Sequence, residues 1–427
     1  MNLYKEFFQY VIPSMFAFAL SGVYAIADGF FVGNALGDQA LAAINIAYPL
    51  TAFLQSIGSG IGMGGAIQYA ICIGAKDTEA KKRYFGGSIL LLIGFSFVLM
   101  GVLLVLSPFI LGLLGASGTI LELGEEYIRF IAYGAIFQVM GTGMIPFIRN
   151  MGGAVTAMIA MIVGFITNIL LDYLFVWVLL YGMMGAAIAT VIGQAVTLFV
   201  CILFFLRKKQ KPVFHIKREN INTMKRIILT GLSPFGLTFS PNITLILINK
   251  SAVIFGGDFA VTCYATVSYI SCVVMLLLQG ISDGSQPLIS LFYGKGEFKK
   301  AKQIRNFSYY FAAVVSMICI IVLFLFRATI AKLFGASPEV AKSVAAILPI
   351  FLVGYLFVSF SRTTTSYFYA TEKNAGAYLL IYGESICLLL LLLFLPNILT
   401  ITGTWISVPV SQLCIMLVSI GLTYKWK

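Results

Sequence analysis

The sequence predicts an all-α integral membrane protein with twelve transmembrane helices in two six-helix bundles related by an internal repeat. Three observations carry this. Hydrophobic residues make up 60% of the chain and charged residues 10%, against about 25% charged in an average soluble domain. No soluble core could hide that much apolar surface. Almost uncharged stretches of about 20 residues, the length a helix needs to cross hydrocarbon, recur from end to end. Matching segments also occur in the two halves at one constant offset.

Pro, Gly and charge clusters cut the chain into the segments. Ala17-Phe18-Ala19 imitates a signal-peptide cleavage site, but its apolar run contains Pro13 and continues through Val32, so it reads as the first span. The spans are 8–33, 45–72, 85–108, 123–147, 154–180, 184–206, 225–251, 262–292, 303–326, 341–370, 375–395 and 401–424. Lys and Arg set the orientation. With a cytoplasmic amino terminus, the inner loops hold Lys76, Lys81, Lys82, Arg83, Arg149, the run from Arg207 to Arg226, Lys295, Lys299, Lys300, Lys302, Arg305 and Lys373. The outer side keeps Arg129, Lys250, Arg327, Lys332 and Lys342. Both termini are then cytoplasmic.

Leu114-Gly115-Ala116-Ser117 matches Phe334-Gly335-Ala336-Ser337; Gly37-Asp38 matches Gly257-Asp258; Gly74 and Lys76 match Gly294 and Gly296. These pairs predict an amino-terminal bundle over 1–206, a cytoplasmic linker over 207–224 and a carboxyl-terminal bundle over 225–427. An even number of spans per half gives two repeats of the same orientation. Bundles that face each other across a cleft have the geometry of alternating access.

Other classes find little support. The net charge of +12 comes from short loops, without a basic face carrying base-stacking aromatics, so nucleic acid is not expected. The seven Cys lie within apolar runs without a pairing or metal-binding pattern, and the single His215 sits in a basic loop. Neither a cofactor nor an enzyme's nucleophile–base pair is expected. A channel would not need the repeat or the deep carboxylates described next.

Asp28 and Asp172 interrupt apolar runs. A carboxylate at that depth costs about 2.5–3.5 kcal/mol on insertion scales, so it is seldom retained without function. Asp28 falls late in the outward-running first span, Asp172 late in the outward-running fifth, and Thr190 early in the inward-running sixth. Tyr24 lies one turn below Asp28, and Asn168 one turn below Asp172. All five can converge in the outer half of the amino-terminal bundle. Their hard oxygens suit Na+ at Asp28, Asn168, Asp172 and Thr190. Two carboxylates in a low dielectric also favour retention of one proton. By the repeat offset, Ile248 and Leu392 stand where Asp28 and Asp172 would recur.

Other features are less specific. Pro13 weakens the first span, as a hinge or as a fixed kink. Gly58, Gly60, Gly62, Gly64 and Gly65 permit close helix packing or local unwinding. Phe16, Tyr48, Phe239 and Tyr269, with Asp283 and Arg362, are candidates for lining a substrate cavity. Glu384 is a further charge within a span. Aromatic faces attract organic cations by about 0.5–2 kcal/mol each.

The ordered set of segments resembles the multidrug and toxic compound extrusion (MATE) family, in its DinF/MepA-like branch. It comprises Pro13-Ser14; Ala27-Asp28-Gly29-Phe30-Phe31-Val32-Gly33; Leu36-Gly37; Leu41-Ala42-Ala43; Tyr48-Pro49; Gly231-Leu232-Ser233-Pro234; Gln279-Gly280-Ile281; Gly284-Ser285-Gln286-Pro287-Leu288-Ile289; and Tyr293-Gly294. The resemblance covers nearly the whole chain. It implies antiport of organic, often cationic, compounds out of the cell against H+ or Na+ without ATP, in the bacterial cytoplasmic membrane; one chain holds both bundles, so a monomer is expected to suffice. It also implies that Tyr24, Asp28, Asn168, Asp172 and Thr190 match the branch's cation site. A flippase for lipid-linked precursors in the same superfamily is the alternative, but it would want several cleft cations where Arg362 stands alone.

Overall fold

The computed structural model describes residues 3–210, 212, 218–333 and 336–425, with the side chains of 25–30, 218–220 and 333 outside the description. Residues 211 and 213–217 of the expected linker, with Phe334 and Gly335 of one repeat match, therefore lie outside the described residues. The described chain is helical: α1 (Leu3–Leu36), α2 (Asp38–Gly74), α3 (Thr78–Leu113), α4 (Gly118–Tyr133), α5 (Ala135–Asn150), α6 (Ala154–Asp172), a π-helical segment (Tyr173–Val178), α7 (Gly182–Arg207), α8 (Arg218–Gly294), α9 (Phe298–Leu325), α10 (Arg327–Leu333), α11 (Pro338–Ala370) and α12 (Asn374–Lys425).

Three breaks turn this list into twelve crossings. α8 breaks at Gly257 (φ 66°) and α12 at Thr400 (φ 52°). α4 and α5 meet at a 60° bend and together make one crossing; the sequence alone gave a single uninterrupted segment there. The caps are local. Asp77 accepts a hydrogen bond from the Ala80 amide at 2.9 Å at the start of α3, and Ser337 precedes Pro338 at the start of α11.

The backbone carries the repeat independently of side chains. Left-handed φ values fall in pairs: Gly37 (84°) with Gly257 (66°), Lys76 (60°) with Gly296 (74°), Gly152 (85°) with Glu372 (59°), and Leu180 (55°) with Thr400 (52°). Every pair has the offset found in the sequence. L side chains avoid this region, so its recurrence at non-glycine positions marks a shared chain path rather than a shared composition.

Two compact units form. The amino-terminal unit comprises Leu20–Phe239 and Ser290–Gly296; the carboxyl-terminal unit comprises Met1–Ala19, Ser240–Ile289 and Glu297–Lys427. α1 stays helical through Pro13 and passes from one unit to the other between Ala19 and Leu20.

Close packing explains this division. In the amino-terminal unit a Cβ on Gly62 would lie 2.1 Å from the Gly143 carbonyl oxygen of α5, and one on Gly64 would lie 2.3 Å from the Ile227 oxygen of α8. In the carboxyl-terminal unit a Cβ on Gly280 would meet the Met15 Cα at 2.5 Å, and one on Gly284 the Val11 Cα at 2.7 Å. Gly60 and Gly64 are the repeat equivalents of Gly280 and Gly284. Each unit's second helix therefore docks on the first turns of the other repeat's opening helix. α2 remains helical throughout, so its glycines serve close approach and not unwinding.

Candidate functional site

The amino-terminal unit holds a buried polar group where α6 meets α7. Gly164 and Gly193 face each other, and a Cβ on Gly193 would lie 2.9 Å from the Gly164 oxygen and 3.0 Å from the Asn168 Cβ. That approach lets Asn168 Nδ2 donate to Thr190 Oγ1 at 3.4 Å, while Thr190 Oγ1 donates to the Ala186 carbonyl at 3.1 Å. Asn168 is 2% exposed, Asp172 0% and Thr190 9%, so all three face protein and not lipid.

Asp172 is the last residue of α6 before the helix widens into the π segment. Insertions of this type break the regular ladder and often occur at functional sites. Here the Leu179 amide donates to the Leu174 carbonyl at 2.8 Å, and the Tyr181 amide to that of Phe175 at 2.8 Å. Asn168 Oδ1 is buried and accepts no hydrogen bond among the described residues. A buried acceptor left in that state costs about 1–3 kcal/mol, a cost a bound cation would remove.

α1 runs along this group. Tyr24 stacks on Phe165 of α6 with centroids 4.9 Å apart, and Trp177 Nε1 donates to the Phe31 carbonyl at 3.2 Å. Phe31 and Trp177 also meet edge to face at 5.8 Å. The two contacts bracket the Asp28 backbone beside the stretch of α6 that contains Asn168 and Asp172. The Asp28 side chain lies outside the described residues. Tyr24 is held as a stacking partner of Phe165. Phe165 and Trp177 were not singled out from sequence; their spacing around Asn168 and Asp172 was the available signal.

The candidate cavity residues separate. Phe16 is 54% exposed, Tyr48 48% and Tyr269 47%. Phe239 packs instead in an aromatic group, stacked on Phe235 at 5.9 Å and edge-on to Phe53 at 5.6 Å. Asp283 and Arg362 belong to one hydrogen-bonded network in the carboxyl-terminal unit. Gln279 bridges them, with Nε2 donating to Asp283 Oδ1 at 2.8 Å and Oε1 accepting from the Arg362 guanidinium at 2.8 Å. The Tyr369 hydroxyl donates to the same Asp283 oxygen at 3.2 Å. Gln279 and Tyr369 were missed in the sequence, although Gln279 stands one helical turn from Asp283 and Tyr369 two turns from Arg362.

Comparison with known proteins gives the family. The MatE family model matches residues 13–174 and 234–383. The chain belongs to the MatE family. Both repeats are matched, and the first match ends just beyond Asp172. Among relatives, Multidrug export protein MepA of Staphylococcus haemolyticus (strain JCSC1435) is 23% identical over 428 residues, covering 99% of this chain and 94% of that protein. Multidrug export protein MepA of Staphylococcus aureus (strain MRSA252) is 23% identical over 417 residues, covering 96% and 92%. A solved structure of a multidrug resistance MATE family transporter of the MOP superfamily, in an outward-facing conformation, superposes with a TM-score of 0.93 at 22% identity, covering 100% of this chain and 96% of that one. The MatE chain described here is thus a multi-pass membrane protein with the helical architecture of MATE transporters.

Proposed function

We propose that this chain is a secondary active multidrug efflux transporter that exports organic, often cationic, compounds in exchange for H+ or Na+ by alternating access. One observation carries the coupling: a wholly buried Asp172 beside the Asn168–Thr190 pair, at the point where α6 becomes π-helical and runs beside α1. The export half is supported by relatives named for multidrug export that match end to end.

The chemistry follows from the oxygen set. Asn168 Oδ1, Thr190 Oγ1 and the carboxylates of Asp172 and Asp28 are hard donors of the kind a small hard cation takes. Two carboxylates close together in low dielectric do not both ionise cheaply, so an empty site retains a proton. Na+ entry displaces that proton, and either ion neutralises the group before the units rearrange. Tyr24 shapes the wall through its stack on Phe165. Pro13, without an amide donor, lets α1 bend as the ion exchanges. Phe16, Tyr48, Phe239 and Tyr269 carry aromatic faces of the kind that attracts a cationic drug, while Asp283 is engaged by Gln279 and Tyr369. The repeats extend over 1–206 and 225–427 around a cytoplasmic linker at 207–224. In this reading the chain works as a monomer in a bacterial plasma membrane, and the loop charges favour both termini inside.

The test is ethidium efflux from proteoliposomes under an imposed pH or Na+ gradient. Wild type should accelerate efflux under at least one gradient, and Asp172→Asn and Asp28→Asn should not. Gradient-driven efflux at the wild-type rate in both variants would remove the site from the mechanism.

A further inference from the structure

Where α9 starts and α11 finishes, the carboxyl-terminal unit carries a basic group that the proposed coupling site does not use. Lys299, Lys300, Lys302 and Arg305 stand on the first turns of α9, and Lys373 follows α11. Two of these cations share one aromatic ring: the Arg305 guanidinium lies 4.8 Å from the Tyr367 centroid, and the Lys373 ammonium 5.8 Å from it. Arg305 also lies 5.7 Å from the Tyr309 centroid. Its Nε and Nη2 donate to Asn306 Oδ1 at 3.2 and 3.0 Å. Rings and a neutral amide orient the guanidinium; none of them neutralises it.

The charges of these segments do not balance. Their acids are Glu297, which pairs with Lys300, and Glu372. With both acids ionised and fully paired, the five cations still leave three positive charges in surplus. α1 packs on this end of α9 through Phe7 and Phe307, and its Lys5 and Glu6 cancel each other. Burial, then Lys302 and Arg305, hold the Lys373 ammonium below the ordinary lysine range, as crowded like charges should.

A lipid-facing surface adjoins the group. Tyr310, Val314, Met317, Ile318 and Ile321 of α9 are exposed and fall at the spacing of a single helical stripe. In a crossing, that is the face turned to hydrocarbon. Asn306, which orients Arg305, stands one turn before Tyr310 on this stripe. Tyr310 is of the type that marks the boundary between hydrocarbon and headgroups.

We propose that Arg305, Lys302 and Lys373 bind the phosphate of an anionic phospholipid whose acyl chains lie along the exposed stripe of α9. Surplus positive charge suits the phosphate, and Arg above all. The apolar stripe suits the chains, and a soluble phosphate would leave it unused. Basic pockets between crossings hold lipid headgroups in this way.

The first half supplies the contrast. Arg305, Tyr367 and Lys373 correspond by the repeat offset to Phe85, Phe147 and Gly153. Phe85 and Phe147 keep the same approach, with centroids 5.2 Å apart, and Phe205 closes on Phe85 at 5.1 Å. The counterpart of Phe205 is Lys425. An all-aromatic cluster therefore satisfies the backbone here, and the fold does not require the cations of the second half.

Native mass spectrometry of the full chain in detergent tests this, with dioleoylphosphatidylglycerol or dioleoylphosphatidylcholine added at matched concentrations. Wild type should bind the phosphatidylglycerol more tightly. Arg305→Gln and Lys373→Gln should each weaken that binding about fivefold, the contribution of one basic residue at an anionic lipid surface, and leave phosphatidylcholine binding unchanged. Arg305→Lys should recover part of the loss. The double variant Lys82→Gln with Arg83→Gln removes two charges from the corresponding loop of the first half and should bind as wild type does. Equal affinity of wild type for the two lipids, unchanged affinity in both single variants, or an equal loss in the double control would overturn the site. Full displacement of phosphatidylglycerol by inorganic phosphate would overturn the lipid assignment in favour of a soluble anion. Lys373 lies in a loop, so Lys373→Gln carries the test if Arg305→Gln does not fold. The readout is lipid binding and not transport, so it does not depend on how Asp28 and Asp172 act.

Discussion

At the level of Asn168, Asp172 and Thr190 the amino-terminal unit is polar. The repeat-equivalent positions in the second half are Leu388, Leu392 and Val410, with Leu388 and Leu392 buried. The reverse holds elsewhere: Gln279, Asp283, Arg362 and Glu384 have Ser59, Met63, Thr142 and Gly164 as counterparts. Both halves keep the same left-handed turns and the same glycine-mediated docking of a second helix on an opening helix. The comparison teaches that the backbone path needs small residues at close approaches and strained turns at fixed positions. It does not need charge at any particular depth. Charged residues can therefore differ between the halves while the backbone path stays the same.

The largest effect should come from forcing the halves to match. Leu392→Asp puts a carboxylate at the counterpart of Asp172 without Asn or Thr beside it. We expect a loss of about 2.5–3.5 kcal/mol in insertion or folding, read as reduced yield of monodisperse protein. Normal yield would mean that the second half tolerates charge at that level. Next, Asp172→Asn should lower gradient-driven efflux by about 100-fold, near the upper end of typical coupling energies, while size-exclusion behaviour stays native. A smaller loss than from Asp283→Asn would move the coupling site to the other unit.

The shared packing can be tested in parallel. Gly60→Val and Gly280→Val each press a side chain on a neighbouring helix, since their Cβ atoms would lie 2.8 Å from Phe235 Cβ and 2.5 Å from Met15 Cα. Each should cost about 1–3 kcal/mol in thermal unfolding, and by similar amounts if the two docking contacts are equivalent. Gly101→Ala, which meets open space, is the neutral control. Thr190→Ala removes the partner of Asn168 Nδ2 and should cost about 1 kcal/mol, with Thr190→Ser restoring it.

The smallest effect is electrostatic. Burial, then the like charges of Lys302 and Arg305, hold the Lys373 ammonium below the ordinary lysine range in the loop between α11 and α12. A cation depressed in the folded state binds its proton more tightly when unfolded. The stability deficit is therefore present at lower pH and is relieved as the pH rises through the folded and then the unfolded value. Lys302→Gln should raise the melting temperature slightly at neutral pH, and the gain should fade in alkali and at high salt. An unchanged melting temperature at low salt would show that solvent already screens the trio.

Much of the fold was legible because hydrocarbon imposes it. Twelve apolar runs, loop charges and repeated turn residues followed from the need to satisfy backbone groups inside a span. Asn168, Asp172 and Thr190 were legible for a related reason: polar side chains at membrane depth stand out against their neighbours. The bend between α4 and α5 was hidden, because Gly134 in an apolar run reads equally as packing or as a break. The π turn after Asp172 was hidden too, since Tyr173 to Val178 has the composition of an ordinary apolar helix. Gln279 and Tyr369 escaped notice because neutral polar residues are common in long spans, and only their partners distinguish them.

By itself the sequence determined the class, the crossings and the repeat, because apolar run length depends on transfer free energy along the chain and the repeat on matching residues at one offset. The tertiary structure alone decided that each repeat's second helix docks on the other's opening turns, that Asn168 reaches Thr190, and that Gln279 joins Asp283 to Arg362. Those contacts depend on helix separations of a few ångströms, set by which glycines face each other, and periodicity along one chain does not specify the helix that lies opposite.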